Sequence, residues 1–128
     1  MSRYYKHNHM NRKPRFEVKY YREAEEFLQR IEEKTRKKIL ENVDKARYTL
    51  DPKLLKKLTG DVWEFRTLYQ GKQYRMLAFW DKRDGNNTLV IATHGFIKKV
   101  SKVPGKEIEK TERIMTCLLY TSPSPRDS

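Results

Sequence analysis

Arg66 and Arg75 stand on either side of Gln70-Gly71 in the stretch VWEFRTLYQGKQYRMLAFW. If Gln70-Gly71 forms a two-residue hairpin loop, Tyr69 pairs with Lys72 and Arg66 falls opposite Arg75. Two guanidinium groups side by side on one sheet face are planar, permanently charged forks of the kind that grip phosphate or carboxylate oxygens. Like charges directly opposite each other are unfavourable, so the pair calls for an anion or a nearby acid, and Glu64 on the same face is the acid at hand. His94, near the end of the next β-prone run, adds a group that titrates near neutral pH. With Asp84-Gly85 as the turn, His94 lies opposite Arg75 and could shuttle a proton there. A slip of one residue turns it to the other face, where it would be a packed core residue. Lys98 and Lys99 close that run, and Lys56 and Lys57 sit in a Leu-Lys segment ahead of the arginines. By position alone these lysines are solvated strand ends and loop residues.

The chain has 128 residues, with 29 Lys+Arg against 17 Asp+Glu and a formal net charge of +12. That length suits one domain with one modest core. The positive excess is spread through the structured runs as well as the tails, which points to a polyanionic partner: nucleic acid, ribosome or an acidic protein segment. One cysteine, Cys117, excludes an internal disulfide and a thiolate metal site. His7 and His9 lack further ligands in a polar arm, so no metal and no cofactor is expected. No apolar run approaches the ~20 residues of a membrane span, and the first residues lack the apolar segment of a signal peptide. The expectation is a cytoplasmic protein with no membrane partner.

A sheet must carry these side chains. Val62 to Lys99 reads as three β-runs divided by Gln70-Gly71 and Asp84-Gly85-Asn86-Asn87, connections short enough to make an antiparallel meander. Alternation puts Trp63, Phe65, Tyr69, Tyr74, Met76 and Ala78 on an apolar face and Glu64, Arg66, Leu68, Gln73, Arg75 and Leu77 on a mixed one. Phe16 to Tyr21 alternates too and predicts a first strand. From Arg22 the period turns helical, with Ala24, Phe27, Leu28 and Ile31 on one side. Thr35 can cap a second helix bearing Ile39, Leu40, Val43, Ala46 and Leu50, which Asp51-Pro52 ends. The short break between them predicts an antiparallel αα-hairpin laid on the aromatic face. Lys53 to Asp61 reads as a basic loop anchored by Leu54, Leu55 and Leu58. Pro104-Gly105-Lys106-Glu107 opens a C-terminal helix with Ile108, Thr111 and Met115 on its buried side.

The expected fold is therefore α+β: an antiparallel β-sheet of about four strands packed by an N-terminal αα-hairpin, with a C-terminal helix. Residues 1–15 are expected to be a disordered basic arm and residues 16–116 the folded domain. Residues 117–128, Ser/Pro-rich and aperiodic, are expected to be an unstructured tail foreign to it. Arg75 projects away from the helices in this scheme, so its truncation is expected to behave as a surface change, costing under about half a kcal/mol.

The order of elements resembles the RelE/ParE toxin superfamily, and most nearly its phage-derived, HigB-like branch. The strings that carry the resemblance are Leu55-Lys56-Lys57-Leu58-Thr59-Gly60, Val62-Trp63-Glu64-Phe65-Arg66, Tyr74-Arg75-Met76, His94-Gly95-Phe96-Ile97-Lys98-Lys99 and Val103-Pro104-Gly105-Lys106-Glu107-Ile108. It covers about Phe16 to Met115. The resemblance implies a bacterial or phage type II toxin held inactive by a cognate antitoxin, in this branch commonly a helix-turn-helix protein. It implies entry into the ribosomal A site and cleavage of mRNA without a metal. The related ParE branch instead poisons DNA gyrase by protein binding, and fold alone does not choose between them. Metal-free cleavage needs a base for the 2′-OH proton, cations for the phosphorane charge and an acid for the 5′-oxygen. By resemblance, Arg66, Arg75, His94 and Lys98 are the catalytic candidates and Lys56, Lys57 and Lys99 the RNA contacts. The tyrosine or acid that many family members carry further along has no match at Ser101 and Lys102, which leaves the general base open.

Overall fold

The computed structural model describes residues 13–49, 51–83 and 89–121. In chain order the elements are β1 (Glu17–Tyr20), α1 (Arg22–Arg30), α2 (Glu33–Ala46), β2 (Leu55–Thr59), β3 (Val62–Tyr69), β4 (Lys72–Asp81), β5 (Leu89–Lys98) and α3 (Gly105–Thr116). A π-helical turn, Cys117–Thr121, continues α3. Most of the expected basic arm and the end of the expected tail lie outside the described residues.

The fold is α+β, with the C-terminal helix in place, but the sheet has five strands in the order β1-β5-β4-β3-β2. Two corrections produce that count. Lys53 to Asp61 is not simply a loop: its centre is β2, an edge strand that pairs antiparallel with β3 through Lys56↔Glu64 and Lys57↔Trp63. A short, lysine-bearing strand is a common way to protect an exposed sheet edge. Gly60 makes the return turn, with φ +52°, a conformation that glycine adopts without a Cβ clash. At the other edge β1 runs parallel to β5, pairing Glu17↔Leu89 through Tyr20↔Ala92. The sheet is thus mixed, because the first strand joins the last.

The central hairpin follows the expected register, with Tyr69↔Lys72 and Arg66↔Arg75. Both loop residues, Gln70 and Gly71, have positive φ, as a two-residue turn matching the sheet twist requires. Between β4 and β5 the register shifts at a bulge: Leu77 pairs with His94 and Ala78 with Ala92, so Thr93 is the extra residue.

Helices cover both faces. On one, α1 buries Ala24, Phe27 and Leu28 and α2 buries Ile39, Val43 and Ala46 against Phe65, Met76, Ala78, Val90 and Ala92. α1 lies on β5 and β1 while α2 lies on β3. Each helix is therefore anchored to its own strands, rather than the two closing on each other as the expected hairpin. Two extended residues, Ile31 and Glu32, separate them, and Arg36 donates to the Leu28 carbonyl at 3.0 Å, satisfying an orphan acceptor at the end of α1. Thr35 is not a cap, since α2 already starts at Glu33 and Thr35 is buried inside it. Leu40 does not belong to the buried stripe either, being exposed. Inside the core, Asn42 donates to Thr67 Oγ1 at 3.2 Å, which pins α2 to β3.

The opposite face has its own smaller core. Val62, Leu77, Phe79 and Ile91 are buried there with Thr111 and Ile114 of α3. α3 lies across β3, β4 and β5 and covers only that end of the face. Among the described residues no helix covers the other end, with Glu64, Arg66, Gln73, Arg75 and Lys98.

Gly95 shows how tightly the first face is packed. A Cβ there would overlap the ring of Phe27. Gly95→Ala should therefore destabilise by about 1–3 kcal/mol through overpacking, seen as a melting temperature several degrees lower. Adding Phe27→Leu should recover part of the loss, and a thermal melt of the three variants checks this.

Candidate nucleic-acid interface

The uncovered end of the second face is built by neighbouring strands. Glu64 and Arg66 of β3, Gln73 and Arg75 of β4, Lys98 of β5 and Lys56 of β2 share it, through the pairs Lys56↔Glu64, Arg66↔Arg75 and Gln73↔Lys98. A shallow hollow of about 330 Å³ opens here, lined by Lys53, Arg66, Thr67, Leu68, Gln73 and Arg75. Gln73 lies on the mixed face that strand alternation gave, and Lys53, just ahead of β2, joins it at the hollow; neither was among the candidate site residues.

Glu64 is the acid that the arginine pair called for. Its carboxylate is buried, and Oε1 lies 3.0 Å from Arg75 Nε while Oε2 lies 3.5 Å from Arg66 Nε. Distance makes these ion pairs, but the N–H groups are poorly aimed. Glu64 Oε1, Arg66 Nε and Arg75 Nε are all buried without an aligned hydrogen bond. The forks keep other partners: Arg75 donates to Gln73 Oε1 at 2.5 Å and to the Tyr74 carbonyl at 3.3 Å, and Arg66 donates to the Pro52 carbonyl at 3.2 Å. Arg75 is only 2 % exposed, so it is not the surface side chain the sequence suggested. Burial lowers its pKa, the Glu64 charge opposes that, and neighbouring Arg66 adds to it. The guanidinium remains charged, as arginine does in proteins.

Lys98 is half-buried at the rim. Desolvation lowers its pKa, and the positive charges of Arg75, Arg66 and Lys56 push the same way against Glu64. This places Lys98 and Lys56 within electrostatic reach of the arginines. Four named cations around one carboxylate leave a face that gains from a further anion.

The remaining candidates sit elsewhere. Lys57 pairs with Trp63 and so stands on the opposite side of the sheet, because alternate residues of a strand face opposite ways. Lys99 is exposed just past the end of β5. His94 is opposite Leu77, not Arg75, because β4 and β5 pair from Asp81↔Leu89, one residue off the expected register, and the Thr93 bulge adds a second shift. It is closed under α3: Nε2 lies 2.8 Å from Glu107 Oε1 and Nδ1 lies 3.1 Å from Thr93 Oγ1. Thr93 Oγ1 is in turn 2.9 Å from Thr111 Oγ1. Burial lowers the His94 pKa more than the Glu107 contact raises it. The groups facing it are Glu107 and Lys110 of α3 and Glu23 of α1, the last two being ion-paired with each other.

Among the described residues no cluster of His, Cys, Asp and Glu could hold a metal, and no helix is long and apolar enough to cross a membrane. What the geometry defines is a basic α+β domain with an anion-seeking sheet face. The chain belongs to the phage-derived protein Gp49-like family, whose model matches residues 26–116. That is a family of type II toxin–antitoxin toxins related to the RelE-like toxins, and the matched span runs from within α1 to the last residue of α3. A search of curated proteins finds no match.

Two outcomes follow for the buried polar groups. Arg75→Ala leaves the buried Glu64 carboxylate only the 3.5 Å contact of Arg66, and breaking a buried ion pair from one side typically costs about 3–5 kcal/mol. Denaturant unfolding should show that loss, with most of it recovered in the double variant Arg75→Met, Glu64→Leu. For His94 the folded pKa lies below the ordinary 6.5. Its contribution to stability is therefore complete above about pH 6.5 and is lost as the pH falls from there through the folded pKa. Melts from pH 7.5 to 5 should steepen downward for the parent chain and flatten for His94→Gln.

Proposed function

We propose that the chain is the toxin of a HigB-like type II pair and a ribosome-dependent mRNA endonuclease that works with its own cations. The observation that carries this reading is the gathering of Lys56, Arg66, Arg75 and Lys98 around Glu64 at the open end of the sheet. A phosphodiester is the ligand that such a face suits: two planar forks can each take two oxygens, and the lysines add point charges. In-line attack of a 2′-oxygen builds negative charge on the phosphorane oxygens. Arg66 and Arg75 are positioned to take that charge in a site whose strand-held backbone requires little reorganisation.

Lys98 supplies the acid in this reading. Its lowered pKa makes its ammonium a better donor to the departing 5′-oxygen than an ordinary lysine. Glu64 is the carboxylate on this face able to accept the 2′-OH proton, once a phosphate draws the arginine forks from it. Lys56 and Lys53 extend the contact to neighbouring phosphates, and Lys99 continues it past the end of β5. His94 serves here as a positioning residue that holds α3 to the sheet through Glu107, in place of the shuttle role considered from sequence. The partner that silences the toxin is a cognate antitoxin, and we assign it to the helix-turn-helix class.

Expression in bacteria should arrest growth, and primer extension should map cuts within translated codons. Arg66 and Lys98 are the informative positions, since both are partly exposed while Arg75 is tied to folding. Arg66→Ala and Lys98→Ala should each lower cleavage on purified ribosomes about a hundredfold with little change in melting temperature, and Arg66→Lys should restore only part. Growth arrest with whole mRNA and gyrase-linked DNA breaks would move the assignment to a ParE-like poison.

A further inference from the structure

The arginine face leaves the chain's two tryptophans without a role. Trp63 pairs with Ala78, and Trp80 follows Ala78 on the same side of β4, so both indoles stand on the helix side of the sheet. Their rings meet edge to face at 6.2 Å, and Phe16 meets Trp80 the same way at 5.1 Å. Beside them Phe65 and Ala78 are fully sealed, yet both indoles stay partly exposed. They line a cavity of about 440 Å³ floored by Phe16 and Leu55 and rimmed by Arg15, Lys56 and Lys57. That volume lies within the roughly 300–1,000 Å³ of ligand sites, and among the described residues no carboxylate lines it. An adjoining hollow shares Lys57 and both tryptophans and adds Lys82 and Asp61.

A flat π-surface inside a cationic rim matches one ligand chemistry well. An unpaired nucleobase stacks on the indole while its flanking phosphates meet the cations, and this needs no particular base because every base has a π-face. An acidic peptide would satisfy the rim but would not need the flat aromatic wall. The β2 edge also joins this cavity to the arginine face. Lys56 pairs with Glu64 and Lys57 with Trp63, so consecutive lysines point to the two sides, and Lys56 reaches both the cavity rim and the field around Lys98.

We infer that the Trp63–Trp80 cavity is a base-stacking subsite for single-stranded RNA. It takes a nucleotide beyond the phosphate held at Arg66 and Arg75, with Lys57 and Arg15 on the flanking phosphates. The inference rests on the reading of the chain as an RNA-cleaving toxin and extends the substrate contact around the sheet edge. Its test can be read apart from cleavage, because the chain has no tryptophan outside the cavity and indole emission reports on it alone.

Purified full-length chain is titrated with a single-stranded RNA of mixed sequence, about eight nucleotides long, within the usual site sizes of such surfaces. Saturable quenching of the indole emission is expected, while the same backbone made abasic should bind more weakly and leave the emission unchanged. Trp63→Leu should weaken affinity for the base-bearing RNA about tenfold, and Trp63→Phe should keep most of it. Lys57→Glu, an exposed change on the edge strand, should weaken binding as well and covers the case in which Trp63→Leu fails to fold. Absence of quenching overturns the subsite. So do equal affinities for abasic and base-bearing RNA, unchanged affinity in Lys57→Glu, or quenching by an acidic apolar peptide but not by RNA. Quenching by RNA in a chain that leaves ribosome-bound mRNA whole would retain the subsite and retire the endonuclease reading. Cleavage of mRNA without quenching would do the reverse.

Discussion

The Glu64 carboxylate between Arg66 and Arg75 is the interaction on which the cationic face depends. Two arginines opposite each other on adjacent strands repel, and Arg75 is buried, where a lone charge is costly. Glu64 offsets both penalties, yet its contacts are close without being well aligned. A buried ion pair of imperfect geometry recovers less of its desolvation cost than a well-aimed one. The cluster is therefore held together by charge balance more than by directed bonding, and an incoming phosphate oxygen competes with a partner that is not geometrically ideal.

The way α3 sits follows from the same face. The apolar residues Val62, Leu77, Phe79 and Ile91 occupy one end of it, and they must be covered. The charged residues occupy the other end and cannot be covered by an apolar helix. The helix stops where the chemistry of the sheet changes, and the Thr93 bulge marks that boundary. By adding one residue to β5 it turns both Thr93 and His94 toward α3, where Thr111 and Glu107 receive them. The buried histidine is thereby spent on joining a helix to a sheet, while Lys98, farther along the same strand, remains at the open rim.

Local pattern already determined much of this protein. The Gln70-Gly71 turn set the β3–β4 register because a two-residue loop admits one pairing, and with it came the Arg66–Arg75 juxtaposition and the role of Glu64. Helical spacing found the residues that α1 and α2 bury, and Pro104-Gly105 marked the start of α3. Tertiary structure decided the rest. β1 joins β5 across the length of the chain, and nothing local encodes a parallel partner that remote. β2 looked like a loop because an edge strand needs only one side's pairing and tolerates lysines. The burial of Arg75 depended on neighbours from β3 and β5, and Lys57 parted from Lys56 once pairing made the segment a strand with two faces. The position of His94 turned on two one-residue shifts, one already present at Asp81↔Leu89 and one at the Thr93 bulge, which periodicity cannot see, because each extra residue reverses the facing of all that follows.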